Sequence, residues 1–277
     1  MKPNILLSHC KESPRNTMEK INVVTTEFFS QKEMIRGHFV VPEKIKSPVG
    51  ICKFHGLPGG PDQVGGIASD LARIGIPVLT FDFRGFRRSD GVFSLRGEIE
   101  DARNAVSHLI ESEYTSASTV MVYGASFGGA IAVCSAARDT RITAICLRAP
   151  LYDTERYSRA RAIIPSIFKE IEKESPDVMH GLDDEKTRNQ MIDQLIEDAK
   201  EFNPMRDISK LAPRPVFITT GTDDEVIDVD GVKRLYHKAG NPKQLEIVQG
   251  ADHRLSDMET KDITQKLVLN WFSSMTP

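Results

Sequence analysis

The sequence has little net charge and no run of lysine and arginine residues interleaved with aromatic side chains. Its 277 residues include 36 lysines and arginines against 39 aspartates and glutamates, which gives a net charge of −3. Binding to nucleic acid needs a concentrated positive surface that displaces the counterions of the phosphates. We therefore expect no nucleic-acid partner.

Long hydrophobic runs and cysteine are also scarce. No stretch approaches the roughly 20 apolar residues of a membrane-spanning helix, and residues 1–20 form a polar tail without the apolar centre of a signal peptide. The four cysteines are scattered without zinc-ligand spacing, at Cys10, Cys52, Cys134 and Cys146. We expect a cytoplasmic protein with no metal site and no membrane association.

The composition is that of a globular protein, with 40% hydrophobic and 27% charged residues, and two patterns alternate along the chain. Runs rich in β-branched residues predict strands, and helical spacing follows most of them. The predicted strands are Val23–Phe29, His38–Val41, Val49–Phe54, Val78–Phe83, Thr119–Tyr123, Ile142–Leu147, Val216–Thr220 and Leu245–Val248. The alternation indicates a mostly parallel sheet flanked by helices. The first two strands leave no room for a helix between them, so we expect an antiparallel ribbon at one edge.

Three helix starts carry capping signals. Asp62 is suited to cap one helix, and Ser256 with Glu259 has the spacing of a capping box for the last helix. Asp228 is expected to cap a helix that begins near Val229.

The strand rhythm stops between Leu151 and about Met205, although helical spacing continues there. Two apolar stripes predict helices, at Ile163, Ile164, Ile167, Phe168 and Ile171 and at Met191, Ile192, Leu195, Ile196 and Ala199. We interpret residues 151–205 as a helical cap inserted into a core of residues 21–150 and 206–277. Insertions at the carboxyl ends of parallel strands commonly border a ligand site, which favours a lid over a substrate pocket. The alternative is a pair of helices that only cover hydrophobic surface.

The strongest chemical signal is the segment Gly124-Ala125-Ser126-Phe127-Gly128-Gly129, which follows a predicted strand and precedes an alanine-rich helical segment. A serine on so sharp a turn has a strained backbone, and the flanking glycines let neighbouring backbone approach closely. The helix amino terminus would stabilise negative charge at the reaction centre. A chance G-x-S-x-G in a glycine-rich turn is the competing interpretation. The context favours Ser126 as a nucleophile.

A serine hydroxyl needs a base within hydrogen-bond reach, and the base needs a partner that fixes its tautomer. His253 follows the last predicted strand, and the Gly221-Thr222-Asp223-Asp224-Glu225 segment follows the strand before it. We predict His253 as the general base and Asp224 as the carboxylate that orients it. Asp223 is the nearest competitor, whereas Asp252 is expected to contact solvent or neighbouring backbone.

The negative oxygen of a tetrahedral intermediate needs preorganised hydrogen-bond donors, usually backbone N–H groups. The Phe127 N–H is one candidate. The other is the Leu57 N–H, in the loop His55-Gly56-Leu57-Pro58-Gly59-Gly60 after the third predicted strand. His55 and Gly56 are expected to support the geometry of this loop rather than to take part in chemistry.

Several arginines lie near two tyrosines around the start of the predicted cap. They are Arg148, Arg156, Arg159 and Arg161, close in sequence to Tyr152 and Tyr157. Such a group could recognise a carboxylate or phenolic group on a substrate, but we favour a solvated charged face.

Together these motifs resemble the α/β-hydrolase superfamily from about Val23 to Trp271. Asp82-Phe83-Arg84-Gly85 with Ser89-Asp90-Gly91 is similar to the family's segment after the fourth strand. There are two departures: Arg87 stands where that segment commonly has glycine, and Asp228 stands where the acid loop often has proline. The early edge strands and the cap look most like the branch that contains feruloyl and cinnamoyl esterases and the catalytic domains of acylaminoacyl and prolyl peptidases.

The resemblance implies an α/β-hydrolase fold with an eight-stranded, mostly parallel sheet, no metal or organic cofactor, and acyl-enzyme chemistry on a small carboxylic ester. A peptidase, a thioesterase or an acyltransferase could use the same three side chains. A binding protein that keeps the fold without the chemistry is a further alternative. The sequence leaves a homo-oligomer open.

Overall fold

The computed structural model describes residues 19–59, 64–159, 163–174 and 176–276. Within these ranges eight strands form one sheet in the order β1-β2-β4-β3-β5-β6-β7-β8. Their bounds are β1 (Ile21–Ser30), β2 (Glu33–Pro42), β3 (Gly50–Phe54), β4 (Val78–Phe81), β5 (Val120–Ala125), β6 (Ile142–Arg148), β7 (Val216–Gly221) and β8 (Lys243–Val248). The β1/β2 and β2/β4 pairs are antiparallel and the other neighbours are parallel. The predicted sheet and its antiparallel edge ribbon are confirmed.

Nine α-helices are described in the same ranges. They are α1 (Ile67–Arg73), α2 (Leu95–Ile110), α3 (Phe127–Ala136), α4 (Thr154–Arg159), α5 (Ile163–Glu174), α6 (Glu185–Ala199), α7 (Pro204–Asp207), α8 (Val229–Lys238) and α9 (Met258–Met275). Two short 3₁₀ turns occur at Pro176–Val178 and Ile208–Leu211. None of the helices in the described ranges is long and apolar enough to cross a bilayer.

Helices cover both faces of the sheet because the central strands are apolar on both sides. Along β5, Val120 and Val122 pack towards α2 and α3, whereas Met121 and Tyr123 pack towards α1 and α9. Near-continuous hydrophobic strands of this kind are typical of parallel sheets buried on both faces. Because β3 to β8 run parallel to one another, their carboxyl ends all emerge at one edge of the sheet, where the loops can meet.

Two of the expected helix caps can be compared with the structure. The Asp228 side chain accepts a hydrogen bond from the Gly231 N–H at 2.7 Å and caps α8, as predicted. The capping box at Ser256 is wrong by one residue, since Asp257 caps α9. Ser256 instead donates its backbone N–H to Asp252, which keeps it within the preceding turn. Asp62 lies outside the described residues.

Helices α4 to α7 occupy the chain between β6 and β7. Most described side chains of the predicted stripes face inwards: Phe168 and Ile171 of α5 are buried, as are Met191, Leu195 and Ala199 of α6, whereas Ile167, Ile192 and Ile196 are partly exposed. The side chains of Ile163 and Ile164 lie outside the described set. The Asp198 carboxylate of α6 accepts the backbone N–H of Arg96 at 2.9 Å, which ties this region to the start of α2.

A buried ion pair fixes the segment that follows β4. The guanidinium of Arg84 donates to Asp101 of α2, with Nη2 2.7 Å from Oδ1 and Nε 3.1 Å from both carboxylate oxygens. The Arg84 side chain is 9% exposed and that of Asp101 is fully buried. Arg84 also donates to Ser30 and Gln31 of the edge hairpin. One side chain therefore joins the hairpin, α2 and the loop after β4.

We expect Arg84→Met to lower the free energy of unfolding by about 3–5 kcal/mol, because it leaves the Asp101 charge buried without a partner. Urea denaturation measures the change. The matched control is Arg103→Met, which removes an arginine that lies 4.0 Å from Glu100 on the surface of α2, where an ion pair contributes about 0–1 kcal/mol. Equal effects of the two substitutions would contradict the role given to Arg84.

Candidate active site

Ser126 is the single residue between β5 and α3. Its backbone has φ 54° and ψ −121°, a region that residues with side chains seldom occupy and that costs on the order of 1–3 kcal/mol. The turn is held by three backbone hydrogen bonds of 2.9 Å: the Ser126 N–H donates to the Arg148 carbonyl, and the Ser126 carbonyl accepts from Gly129 and Leu151. The Ser126 hydroxyl does not cap α3, and it lies within hydrogen-bond distance of His253.

Close approach of the backbone explains the glycine at position 128. A Cβ on Gly128 would lie 2.4 Å from the carbonyl oxygens of Phe54 and His55, at the carboxyl end of β3. The absence of a side chain lets the first turn of α3 pack directly against that strand end. The loop after β3 consequently passes beside the serine, since a Cβ on Gly56 would be 3.1 Å from the Ser126 Cβ.

The imidazole of His253 lies between Ser126 and Asp224. Its Nε2 is 3.0 Å from the Ser126 Oγ, and its Nδ1 is 2.9 Å and 3.0 Å from the two carboxylate oxygens of Asp224. A carboxylate only accepts, so Nδ1 carries the proton and Nε2 is free to accept one from the serine hydroxyl. The Asp224 side chain is fully buried and that of His253 is 13% exposed.

The acid loop is fixed by its own backbone and by the histidine loop. The Asp224 Oδ1 accepts the N–H groups of Val226 and Ile227, at 2.9 Å and 2.7 Å. The Asp223 N–H donates to the Ala251 carbonyl at 3.1 Å, which joins the loop after β7 to the loop after β8. This link places the carboxylate and the imidazole at the same sheet edge.

The three other aspartates near this site have different partners. Asp223 is exposed and accepts the hydroxyl of Thr222 at 2.7 Å. Asp228 caps α8 and accepts the hydroxyl of Tyr152. Asp252 accepts a backbone N–H within its own turn. Among the four carboxylates, Asp224 is the one that the described structure places on the imidazole.

Two backbone N–H groups are predicted to bind the oxyanion, and both belong to residues close to Ser126. The Phe127 N–H is the first of α3, and the first N–H groups of a helix have no acceptor within the helix. Leu57 follows Gly56 in the loop that passes the serine. The structure thus places both residues next to the serine, and binding of the oxyanion by their N–H groups stays a prediction.

The His55 ring holds this loop in place through two hydrogen bonds. It is buried, its Nε2 accepts the backbone N–H of Phe83 at 3.0 Å, and its Nδ1 donates to the Gly56 carbonyl at 2.7 Å. Burial lowers the pKa of His55 to about 3, against the opposing effect of the bond to Gly56. The ring is therefore neutral and acts as a fixed bridge between two loops.

Helix α5 reaches the site from two directions. Phe168 packs edge-on against Phe93, and Phe93 packs against Phe127, each with ring centroids 5.6 Å apart. On the other side, Glu170 pairs with Arg254, the residue after His253, at 3.0 Å. The helix predicted as part of a cap thus contacts Arg254 of the histidine loop directly and reaches Phe127 of α3 through Phe93.

The arginines singled out in the sequence do not converge on one anion site where they are described. Arg156 donates to the Tyr152 hydroxyl, and Arg159 pairs with Glu155 at 2.8 Å. Arg148 donates to the backbone carbonyl of His253 at 2.6 Å. Arg161 lies outside the described residues.

Sequence reasoning missed what Arg148 and Glu225 do. Arg148 ends β6 beside Ala125, and its bond to the His253 carbonyl fixes the histidine loop. Glu225 accepts the His253 N–H at a longer 3.4 Å. A charged residue at the carboxyl end of an apolar strand is the signal that could have identified Arg148. Within the described ranges, no group of three or more His, Cys, Asp or Glu side chains is arranged to hold a metal ion.

Comparison with known proteins gives the family. Residues 95–276, well over half of the chain, match the prolyl oligopeptidase family. The chain belongs to this family. Structural similarity to solved α/β hydrolases confirms the fold class that the motifs predicted. The family match agrees with the branch that contains the catalytic domains of prolyl peptidases.

Individual relatives are distant. The uncharacterized protein YfhR of Salmonella typhimurium is 27% identical over 211 residues, which are 73% of this chain and 63% of that protein. The chain thus spans less than two thirds of the length of this relative. A monoglyceride lipase homolog of monkeypox virus is 24% identical over 241 residues, 78% of this chain and 86% of that protein. Est1E of Butyrivibrio proteoclasticus, solved with ferulic acid bound, has a TM-score of 0.68 at 16% identity and covers 90% of this chain and 98% of its own.

Asp224→Asn should lower turnover of an activated ester by roughly 10⁴-fold, because an amide in place of the carboxylate favours the wrong histidine tautomer. The matched control is Asp223→Asn, which should stay within about tenfold of the parent because Asp223 is exposed and contacts Thr222. Initial rates with p-nitrophenyl acetate measure both. A large loss in the Asp223 variant together with an active Asp224 variant would show that the acid had been misassigned by one residue.

Proposed function

We propose that the protein is a serine hydrolase that cleaves carboxylic esters of small molecules through an acyl-enzyme intermediate. The observation that carries the proposal is the line of contacts from Ser126 to His253 to Asp224, built on a strained turn between a strand and a helix. Nucleophile, base and orienting carboxylate are the three roles that this chemistry needs, and the distances are those of hydrogen bonds.

In the first half of the reaction, the Ser126 Oγ attacks the carbonyl carbon of the ester while its proton passes to the His253 Nε2. Asp224 keeps the Nδ1 proton in place and stabilises the imidazolium that forms. The carbonyl oxygen becomes negatively charged, and the N–H groups of Leu57 and Phe127 are the donors proposed to bind it. Such donors act most strongly when they are fixed before the reaction begins.

Collapse of this intermediate breaks the bond to the leaving alcohol, which takes the proton from His253 and departs. The acyl group remains on Ser126. Water then enters, gives a proton to His253 and attacks the acyl carbon, and a second collapse releases the acid and returns the proton to the serine oxygen. His253 therefore alternates between base and acid in both halves.

Two similarities favour an ester as the substrate. One relative is named a monoglyceride lipase homolog, and one structural neighbour is a protein solved with ferulic acid bound. The family description favours a second candidate, a peptidase acting on aminoacyl or short peptide substrates. Parallel assays with aryl esters, alkyl esters and aminoacyl anilides separate the two, because an amide nitrogen is a poorer leaving group than an alcohol and must be protonated to depart.

The contacts of α5 support a role for the cap as a lid over the acyl group. Phe168 reaches Phe127 through Phe93, and Glu170 reaches the histidine loop through Arg254. A helix anchored on both sides of the nucleophile would exclude water from the reaction and narrow the choice of acyl group. This proposal takes the cap as residues 151–205.

Ser126→Ala should lower ester turnover by about 10⁶-fold, the order found when such a nucleophile is removed, with little change in thermal stability. Intact mass after treatment with a fluorophosphonate should show one phosphonyl group on the parent and none on the variant, since the serine oxygen displaces fluoride. Circular dichroism melts control for folding.

A parent protein that takes up no reagent would favour the alternative of a non-catalytic binding protein. Labelling that persists in Ser126→Ala would place the reactive nucleophile elsewhere in the chain.

A further inference from the structure

Arg87 has a strained backbone conformation and a largely buried side chain. Its φ is 47°, in the left-handed region where glycine is at ease and a residue with a side chain is uncommon. The family motif commonly has glycine at this place, so the chain keeps an arginine where the backbone disfavours one. A side chain retained against strain points to a contact that the fold or the reaction needs.

The guanidinium of Arg87 contacts the loop after β3. Its Nη2 donates to the Gly59 carbonyl at 2.9 Å, and its Nη1 donates to the Asp82 Oδ1 at 3.0 Å. Longer contacts of 3.4 Å and 3.5 Å reach the Pro58 carbonyl. The side chain is 15% exposed and that of Asp82 is 9% exposed, so these bonds are largely shielded from water.

We propose that Arg87 is a positioning residue that fixes residues 56–59 so that the Leu57 N–H is directed at the reacting carbonyl oxygen. This inference rests on the proposed function. The loop is then held from two sides, by the neutral ring of His55 at Gly56 and by the guanidinium at Gly59. Gly59 has φ 77°, and a Cβ there would lie 2.9 Å from the His55 ring, so the two supports pack against each other through this glycine.

Arg87 and Asp82 position the loop through the directions of their hydrogen bonds rather than through a net charge. Arg87 and Asp82 together are neutral when both are ionised, and each faces the other across 3.0 Å. Burial raises the pKa of Asp82, and the Arg87 charge opposes that rise. A planar guanidinium can bind a carboxylate and a carbonyl at once in fixed directions, which a flexible ammonium group cannot.

The backbone of Arg87 is anchored to the chain between β6 and β7. Its N–H donates to the Val178 carbonyl at 2.9 Å, and its carbonyl accepts from the His180 Nε2 at 2.9 Å. Phe86 and Met179 form an isolated antiparallel bridge beside these bonds. The left-handed conformation is thus imposed by surrounding contacts, and the loop after β3 is linked through Arg87 to the proposed cap.

The test compares Arg87→Gly with Arg88→Gly, which removes the neighbouring exposed arginine by the same substitution. Arg87→Gly relieves the backbone strain but leaves Asp82 without its main partner, so the double variant Asp82→Asn/Arg87→Gly is made as well. The double variant removes the ion pair without leaving a buried unpaired charge. If Arg87→Gly folds poorly, the same measurements are made on the double variant.

Arg87→Gly and the double variant should lower kcat for an aryl ester by about 10- to 100-fold, less than the 10²- to 10³-fold loss on removing one oxyanion donor outright. KM should stay within about threefold, since the ground-state ester makes little use of the donor. The rate of inactivation by fluorophosphonate should fall in parallel, and amide hydrogen exchange in a peptide covering residues 55–59 should accelerate. Arg88→Gly should match the parent in all four measurements.

Variants of Arg87 that keep the parent kcat, inactivation rate and exchange would overturn the proposal while leaving the serine hydrolase assignment intact. Loss of kcat together with an equal rise in KM and unchanged exchange would also overturn it, because that pattern describes a substrate contact. A parent that neither hydrolyses esters nor reacts with fluorophosphonate would overturn the proposed function and the role of Arg87 with it.

Discussion

The contact between the first turn of α3 and the carboxyl end of β3 determines the rest of the site. Only a residue without a side chain fits there, because a Cβ on Gly128 would lie 2.4 Å from two carbonyl oxygens. This contact puts the serine, the helix amino terminus and the loop after β3 within a few ångströms of one another. The acid and histidine loops then need only to emerge from the same sheet edge, which a parallel sheet provides.

Strain and rigid support occur together around this contact. Ser126 and Arg87 both have positive φ without being glycine, and both are held by backbone hydrogen bonds from distant parts of the chain. Strained conformations persist only where surrounding structure imposes them. Arg148 and Leu151 supply backbone bonds that hold Ser126, and Val178 and His180 supply those that hold Arg87, so both strained residues depend on contacts with the chain from β6 onwards.

The fold and the placement of Ser126, His253 and Asp224 could be predicted because each signal is local. A strand followed by a glycine turn, or by a short acidic or histidine loop, is readable from a few adjacent residues, and the parallel sheet brings these loops to one edge. The contacts of Arg87 with Gly59 and of Arg148 with His253 join segments that are 28 and 105 residues apart. Neither contact leaves a periodicity or a characteristic spacing in the sequence that could predict it. The error at Ser256 is local instead: the Asp252 carboxylate, four residues earlier, accepts the Ser256 N–H, and the cap falls to Asp257.

The most direct test of the proposed oxyanion site is a crystal structure of the protein with a phosphonyl group on Ser126, because the phosphonyl oxygen occupies the place of the carbonyl oxygen in the tetrahedral intermediate. We expect this oxygen to lie about 2.7–3.1 Å from the backbone nitrogens of both Leu57 and Phe127, with the Arg87 bond to Gly59 intact. A phosphonyl oxygen that points to solvent, or that binds only other donors, would contradict the proposed oxyanion site.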